Sequence, residues 1–183
     1  MDINLKTKEL PFETFLLTSH IQDFEIIENL KKQIYEDIKA SSLNHKTNVE
    51  GRITELHDLI RNEWFHKFLK LIKREIKMIF QDNFIIKEAW GTISNKNEKV
   101  KLHHHNAVRG FSGILYLTEG GTGTDFPQYN LNIEEKIGKY ILFHPLLLHS
   151  VQKQIKDGDR MTVAFNMVET KDWNDYSKDT TIR

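Results

Sequence analysis

The chain of 183 residues carries 26 basic and 26 acidic side chains, with 39% hydrophobic and 28% charged residues and no cysteine. That suits one compact domain, is too apolar and too evenly charged for a disordered chain, and offers no general attraction to nucleic-acid phosphate. Disulfide scaffolds, cysteine-zinc sites and thiol nucleophiles are excluded, and no apolar run approaches the roughly 20 residues a membrane helix needs. The opening Met1 to Leu5 lacks the basic start and apolar stretch of a signal peptide, so a cytoplasmic protein with no membrane or nucleic-acid partner is expected.

In chain order, Phe12 to Leu17 reads as an edge strand. Phe24, Ile27, Leu30, Ile34 and Ile38 step by three and four, which predicts a helix over Phe24–Ala40 with Asp23 as its cap. Ala40 to Gly51 is polar and reads as a loop. Trp64, Phe65, Phe68, Leu69, Ile72, Ile76 and Ile79 predict a second helix over Trp64–Phe80, whose lysines form a solvated face. His20, His45, His57 and His66 fall in this helical half as surface residues.

Near residue 83 the texture changes. Phe84–Ile86, Lys99–His103, Phe111–Thr118, Lys139–Phe143 and Met161–Val168 are short β-branched or aromatic runs, punctuated by Gly91, Gly120-Gly121, Gly138 and Asp157-Gly158-Asp159. Trp90 reads as a core residue, and Lys171–Arg183 as a polar tail that Trp173 and Tyr176 would anchor. Helices followed by strands describe an α+β domain in which the helices cover one face of an antiparallel sandwich or barrel. The whole of 1–183 is one domain, with helical support over 20–82, a β core over 84–168 and a tail over 171–183.

The histidines carry the chemistry. In Lys101-Leu102-His103-His104-His105-Asn106, a strand would point His103 and His105 to one face and His104 to the other. Together with the later His149, which closes the apolar run from Gly138, they would make a facial set of metal ligands. Neutral imidazole suits iron(II), zinc, copper and nickel alike. A second register, with His104 and Asn106, stays open because Val100, Leu102 and His104 also alternate. His144 packs or caps at a strand end. Beyond His149, Arg160, Thr162, Ala164 and Asn166 share one face of a strand, and a guanidinium with a hydroxyl two residues along fits recognition of a carboxylate. A surface ion pair from Arg160 to Asp157 or Asp159 is the structural alternative. Gly120-Gly121-Thr-Gly is not a phosphate loop, lacking the lysine and the strand-to-helix setting.

Four pieces in this order resemble the 2-oxoglutarate/Fe(II)-dependent dioxygenase superfamily over roughly residues 84 to 168: His103-x-His105, Ser112-Gly113-Ile-Leu-Tyr116, Gly120-Gly121-Thr-Gly-Thr124-Asp-Phe126-Pro127, and Phe143-x-Pro145…His149 followed by Arg160-x-Thr162-x-Ala-Phe-Asn166. The third looks like a stretched version of the GGxTxFP loop of prolyl 4-hydroxylases. The superfamily usually has His-x-Asp or His-x-Glu; the resemblance here is to a branch carrying His-x-His. No carboxylate adjoins the tract; Glu98 precedes it and Asp125 lies in a later loop.

The resemblance implies a double-stranded β-helix (jelly-roll, cupin-like) core with N-terminal supporting helices. It implies Fe(II) held by His103, His105 and His149, with 2-oxoglutarate and O2 as co-substrates. Arg160 would pair with the distal carboxylate of the keto acid, and Thr162 and Tyr116 would add hydrogen bonds. The activity implied is hydroxylation of a peptide or protein side chain, proline favoured, or of a small molecule. A missing carboxylate would instead free a position for halide, as in related halogenases. The alternative from another class is a non-catalytic, cupin-like metal-binding module, which has no need of the Arg160-x-Thr162 pair.

Overall fold

A computed structural model describes residues 14–40, 48–79, 84–105 and 110–169. Asp23 Oδ1 accepts from the Ile26 N–H at 3.1 Å and starts helix α1, Phe24–Ala40, as the sequence predicts. The second helix, α2, begins one residue before the predicted start and spans Glu63–Ile79; Asn62 Oδ1 caps it by accepting from the N–H groups of Trp64 and Phe65, both at 2.9 Å. Phe80, its predicted last residue, lies outside the described residues, as do His45 and the tail with Trp173 and Tyr176.

Among the described residues, ten strands follow the texture change or flank the helices: β1 Leu16–His20, β2 Arg52–Ile53, β3 Phe84–Ser94, β4 Val100–His103, β5 Gly110–Tyr116, β6 Thr124–Phe126, β7 Leu131–Ile133, β8 Lys139–Phe143, β9 His149–Val151 and β10 Arg160–Glu169. Among the described residues they form a six-stranded sheet, β1-β8-β5-β10-β3-β2, and a four-stranded sheet, β4-β9-β6-β7, all pairs antiparallel. β1 is an edge strand, as expected, but it starts at Leu16 rather than Phe12; Phe12 and Glu13 are outside the described residues.

β3 corrects a second expectation. Gly91 reads as punctuation, yet it sits inside an eleven-residue strand. Ile34 of α1 packs against it so closely that a Cβ there would come within 2.3 Å of Ile34 Cγ1. The glycine marks a close helix-to-sheet approach, not a turn.

Two apolar cores result. In one, Ile27, Leu30, Ile34, Phe65, Phe68 and Ile72 of the helices meet Ala89, Ile93, Met161, Val163 and Phe165 on the outer face of the large sheet. Phe165 contacts Phe65 and Phe68 edge-on, with ring centroids at 5.6 and 5.9 Å. The other core, between the sheets, is smaller: Tyr116, Phe126, Ile133, Ile141, Phe143 and Leu147. The rest of the space between the sheets is a cavity lined by both polar and apolar side chains, and the histidines open there. No described helix is long and apolar enough to cross a membrane.

Candidate metal centre

β4 and β9 pair so that His103 lies opposite His149. Higher on the same ladder Val100 faces Val151, so β4 carries one extra residue between the two pairs. This bulge turns the strand: Val100 and His103 both line the inter-sheet cavity, while Leu102 is 55% exposed. His105 follows beyond the strand end, where its backbone N–H donates to Pro145 O at 2.8 Å and returns its ring to the cavity.

The three rings converge. His103 and His149 lie 4.2 Å apart by centroid, and His105 is 5.2 Å from each. Their available nitrogens all fall within 4.8 Å of one another, and among the described residues no carboxylate joins the group. Glu98 instead accepts from the Asn95 N–H in a turn, and Asp125 from Asn132 and Gln152. His104 is exposed, so the register through His104 does not form; Asn106 lies outside the described residues.

The backbone fixes two of the tautomers. His103 Nδ1 lies 2.8 Å from Lys101 O, and His149 Nδ1 lies 2.9 Å from Leu147 O. A carbonyl only accepts, so each Nδ1 carries the hydrogen and each Nε2 keeps its lone pair. Burial disfavours the imidazolium form of all three: it lowers His103, takes His105 down to about 4 and His149 down to about 3, with the neighbouring histidines adding to the effect. Neutral imidazole is the ligating form, held here with its donor atoms aimed at one point. The donor set fits a divalent transition metal. Phe143, 4.7 Å from His149 by centroid, and Phe126, at 6.2 Å, wall off one side.

The cavity beside the triad, about 60 Å³, is also lined by Trp90, Thr92, Ser112, Arg160, Thr162 and Asn166. Trp90 is therefore not a residue of either apolar core: its ring stands 6.4 Å from His105. Arg160, Thr162 and Asn166 share the inner face of β10, as the sequence predicts. Thr162 Oγ1 is 2.7 Å from Thr92 Oγ1; Asn166 accepts from Ser112 Oγ at 2.7 Å and donates to Glu88 at 2.8 Å. Tyr116 points inward with its ring 5.8 Å from the Arg160 guanidinium, but its hydroxyl donates to Thr124 Oγ1 at 2.6 Å and it is not part of the cavity wall; burial pushes its pKa up to about 12.

Arg160 does not pair with Asp157 or Asp159, which engage Lys96 and Arg52 instead. Its Nε donates to Glu135 Oε2 at 3.1 Å, with the two side chains 5% and 0% exposed. Glu135 does not stand out in the sequence. It lies in a polar run, and the available signal is that Glu135 shares its parity with Ile133 and Ile137 on either side. The remaining histidines among the described residues fall as expected. His20, His57 and His66 are exposed, and His144 caps locally by accepting from the Leu146 N–H at 3.2 Å.

No family model matches the chain, and no curated protein matches it. Solved structures do. The viral collagen prolyl hydroxylase of Paramecium Bursaria Chlorella virus-1, in its 2OG complex, is 17% identical over 83% of this chain and 94% of that one, with a TM-score of 0.63. A prolyl-4-hydroxylase of Pseudomonas putida is 15% identical over 84% of this chain and 91% of that one, at 0.64. HygX from Streptomyces hygroscopicus, with nickel, 2-oxoglutarate and hygromycin B bound, is 11% identical over 86% of this chain and 83% of that one, at 0.65. The fold is the double-stranded β-helix of these oxygenases. The converged His103, His105 and His149 fit the same resemblance.

Proposed function

We propose that the chain is an Fe(II)- and 2-oxoglutarate-dependent dioxygenase that hydroxylates an unactivated C–H bond of a peptide or protein side chain, proline favoured, or of a small molecule. One observation carries the reading: three neutral histidines converge in the same cavity that a buried arginine lines. The preference for proline rests on the Gly120-Gly121…Thr124-x-Phe126-Pro127 loop and on the two prolyl hydroxylases among the similar folds. HygX, whose structure holds hygromycin B, supports the small-molecule option equally.

His103, His105 and His149 would hold the iron through one nitrogen each, Nε2 in His103 and His149. Bound iron, with 2-oxoglutarate and O2, supplies the oxidative step, in which R–H becomes R–OH while the keto acid is converted to succinate and CO2. The protein's own task is placement. Arg160 offers the guanidinium for the distal carboxylate and Thr162 the hydroxyl in the cavity wall, while Tyr116 lies beside the guanidinium with its own hydroxyl held by Thr124. Phe143 and Phe126 exclude water from the side of His149. Trp90, Ser112 and Asn166 line the remaining wall, where a substrate would meet the site.

A metal-binding module without turnover is favoured by one observation, that Arg160 already has a buried carboxylate partner. Anaerobic addition of Fe(II) and then 2-oxoglutarate separates the two readings. A dioxygenase shows the weak visible charge-transfer band of the chelated keto acid, and a plain metal binder shows none. With an inert metal, Arg160→Met is expected to weaken 2-oxoglutarate binding by roughly 10- to 100-fold, the loss of a charge-assisted pair, while metal affinity holds.

A further inference from the structure

Glu135 is the buried ionisable group that the mechanism above leaves without a task. Three donors define it. Arg160 Nε donates to Oε2 at 3.1 Å, Thr118 Oγ1 donates to Oε1 at 3.1 Å, and the Gly121 backbone N–H donates to the carboxylate. Thr118 Oγ1 in turn accepts from the Met161 N–H at 2.9 Å, so the carboxylate is tied to the strand that bears Arg160. Gly121 has no room for a side chain: a Cβ would lie 2.0 Å from Glu135 Oε2. The second glycine of the Gly120-Gly121 loop is thus a requirement of this carboxylate's approach.

We propose that Glu135 is the positioning residue of the co-substrate site, holding the Arg160 guanidinium by its Nε so that both Nη groups remain for an incoming carboxylate. The proposal rests on the dioxygenase reading. Five N–H donors in a rigid plane make this division possible: the Nε edge can be engaged while the two terminal nitrogens stay available as a fork. Charge balance is compatible with this arrangement. Three neutral imidazoles contribute nothing to offset a divalent metal, unlike a site with a carboxylate ligand. Arg160 and Glu135 cancel each other, so a dianionic keto acid brings the loaded cavity to neutrality. Without Glu135 the buried guanidinium would have no partner to hold its orientation before the co-substrate arrives, an unfavourable state in the unloaded protein.

The test is calorimetric titration of nickel-loaded protein with 2-oxoglutarate, using the parent chain, Glu135→Gln, Arg160→Met and the double variant. Glutamine keeps the shape and removes the charge. It is expected to weaken binding roughly 10-fold while nickel affinity stays as in the parent. In the Arg160→Met background the same change should do nothing further, because Glu135 acts only through the guanidinium. A merely structural role would not produce that loss of effect. Thermal melts check folding; if Glu135→Gln does not fold, Glu135→Asp, which keeps the charge on a shorter arm, takes its place and should bind 2-oxoglutarate several-fold more weakly than the parent. Equal or tighter binding by Glu135→Gln overturns the proposal, since it makes Glu135 a competitor for Arg160. So does a further loss in the double variant. If Arg160→Met weakens binding and the Glu135 variants do not, only this inference fails; if the parent itself does not bind 2-oxoglutarate, the dioxygenase reading fails with it.

Discussion

On its outer face the large sheet turns Ala89, Ile93, Met161, Val163 and Phe165 towards the two helices; on its inner face the same strands turn Trp90, Thr92, Arg160, Thr162 and Asn166 towards the histidines. Consecutive residues of β10 therefore serve two different physical ends. The outer set is apolar throughout, held by burial and ring packing. Inner-face polar groups are held in place by one another: Thr162 by Thr92, Asn166 by Ser112 and Glu88, Arg160 by Glu135. The teaching is that stability and ligand recognition are assigned to alternate residues of one strand, so substitutions should separate the two properties cleanly.

The largest expected effect lies on the outer side. Phe68 is fully buried and touches Phe65, Tyr140 and Phe165 by ring. Phe68→Ala should destabilise the metal-free protein by about 3–5 kcal/mol, the usual range for deleting a buried aromatic ring. Denaturant unfolding measures this, and the nickel affinity of the folded fraction should stay at the parent value. A variant that loses nickel affinity without losing stability would break the division of labour between the faces.

Acid should act from the inner side. His105 and His149 have pKa values depressed to about 4 and about 3 in the fold, whereas both titrate near 6.5 in an unfolded chain. Between these values the unfolded state binds more protons than the folded one, so unfolding free energy rises with pH across that window. The metal-free protein is fully served by the neutral rings above about pH 6.5, and loses stability as pH falls towards 4 and then 3. Urea melts at pH 5 and pH 7 should show the drop, and His149→Gln should flatten it. A profile equally steep in the variant would place the titrating group elsewhere.

These two faces were not equally legible in the sequence. Helix α1 was readable to the residue, because Phe24 to Ala40 carries a regular three-and-four spacing with a cap in front. The outer-face alternation of Met161, Val163 and Phe165 was readable for the same reason. Inner-face positions depend on irregularities that periodicity cannot show. The extra residue in β4 carries the wall from Val100 to His103, an odd step that strict alternation forbids; a regular strand would have shown Val100, Leu102 and His104 together. A second irregularity, where Asn166 faces Glu88 but Met167 faces Ile86, inserts Lys87 into β3. Strands β6, β7 and β9 have three residues each, too few for an alternation to register. Glu135 stayed hidden because a buried acid and a solvated one look alike in a polar run, and only its partner Arg160 tells them apart.

The smallest effect is the sharpest test of the inner face. Thr162 and Thr92 lie opposite each other on β10 and β3, with their hydroxyls 2.7 Å apart and both side chains buried. One of the two donates to the other, which leaves the second hydroxyl proton for another acceptor. If Thr92 is the internal donor, Thr162 is left to donate to the co-substrate beside Arg160; if Thr162 is the internal donor, the co-substrate gains nothing from it. Valine preserves the shape of either residue and deletes its hydroxyl. Both Thr162→Val and Thr92→Val should therefore cost stability by a similar small amount, of order 1 kcal/mol for an orphaned buried hydroxyl. Only Thr162→Val should weaken 2-oxoglutarate binding, by roughly 3- to 10-fold, well short of the loss expected at Arg160. Titrating both variants loaded with nickel decides it. Equal affinity in the two would assign the threonine pair to sheet structure alone and leave carboxylate recognition to the guanidinium.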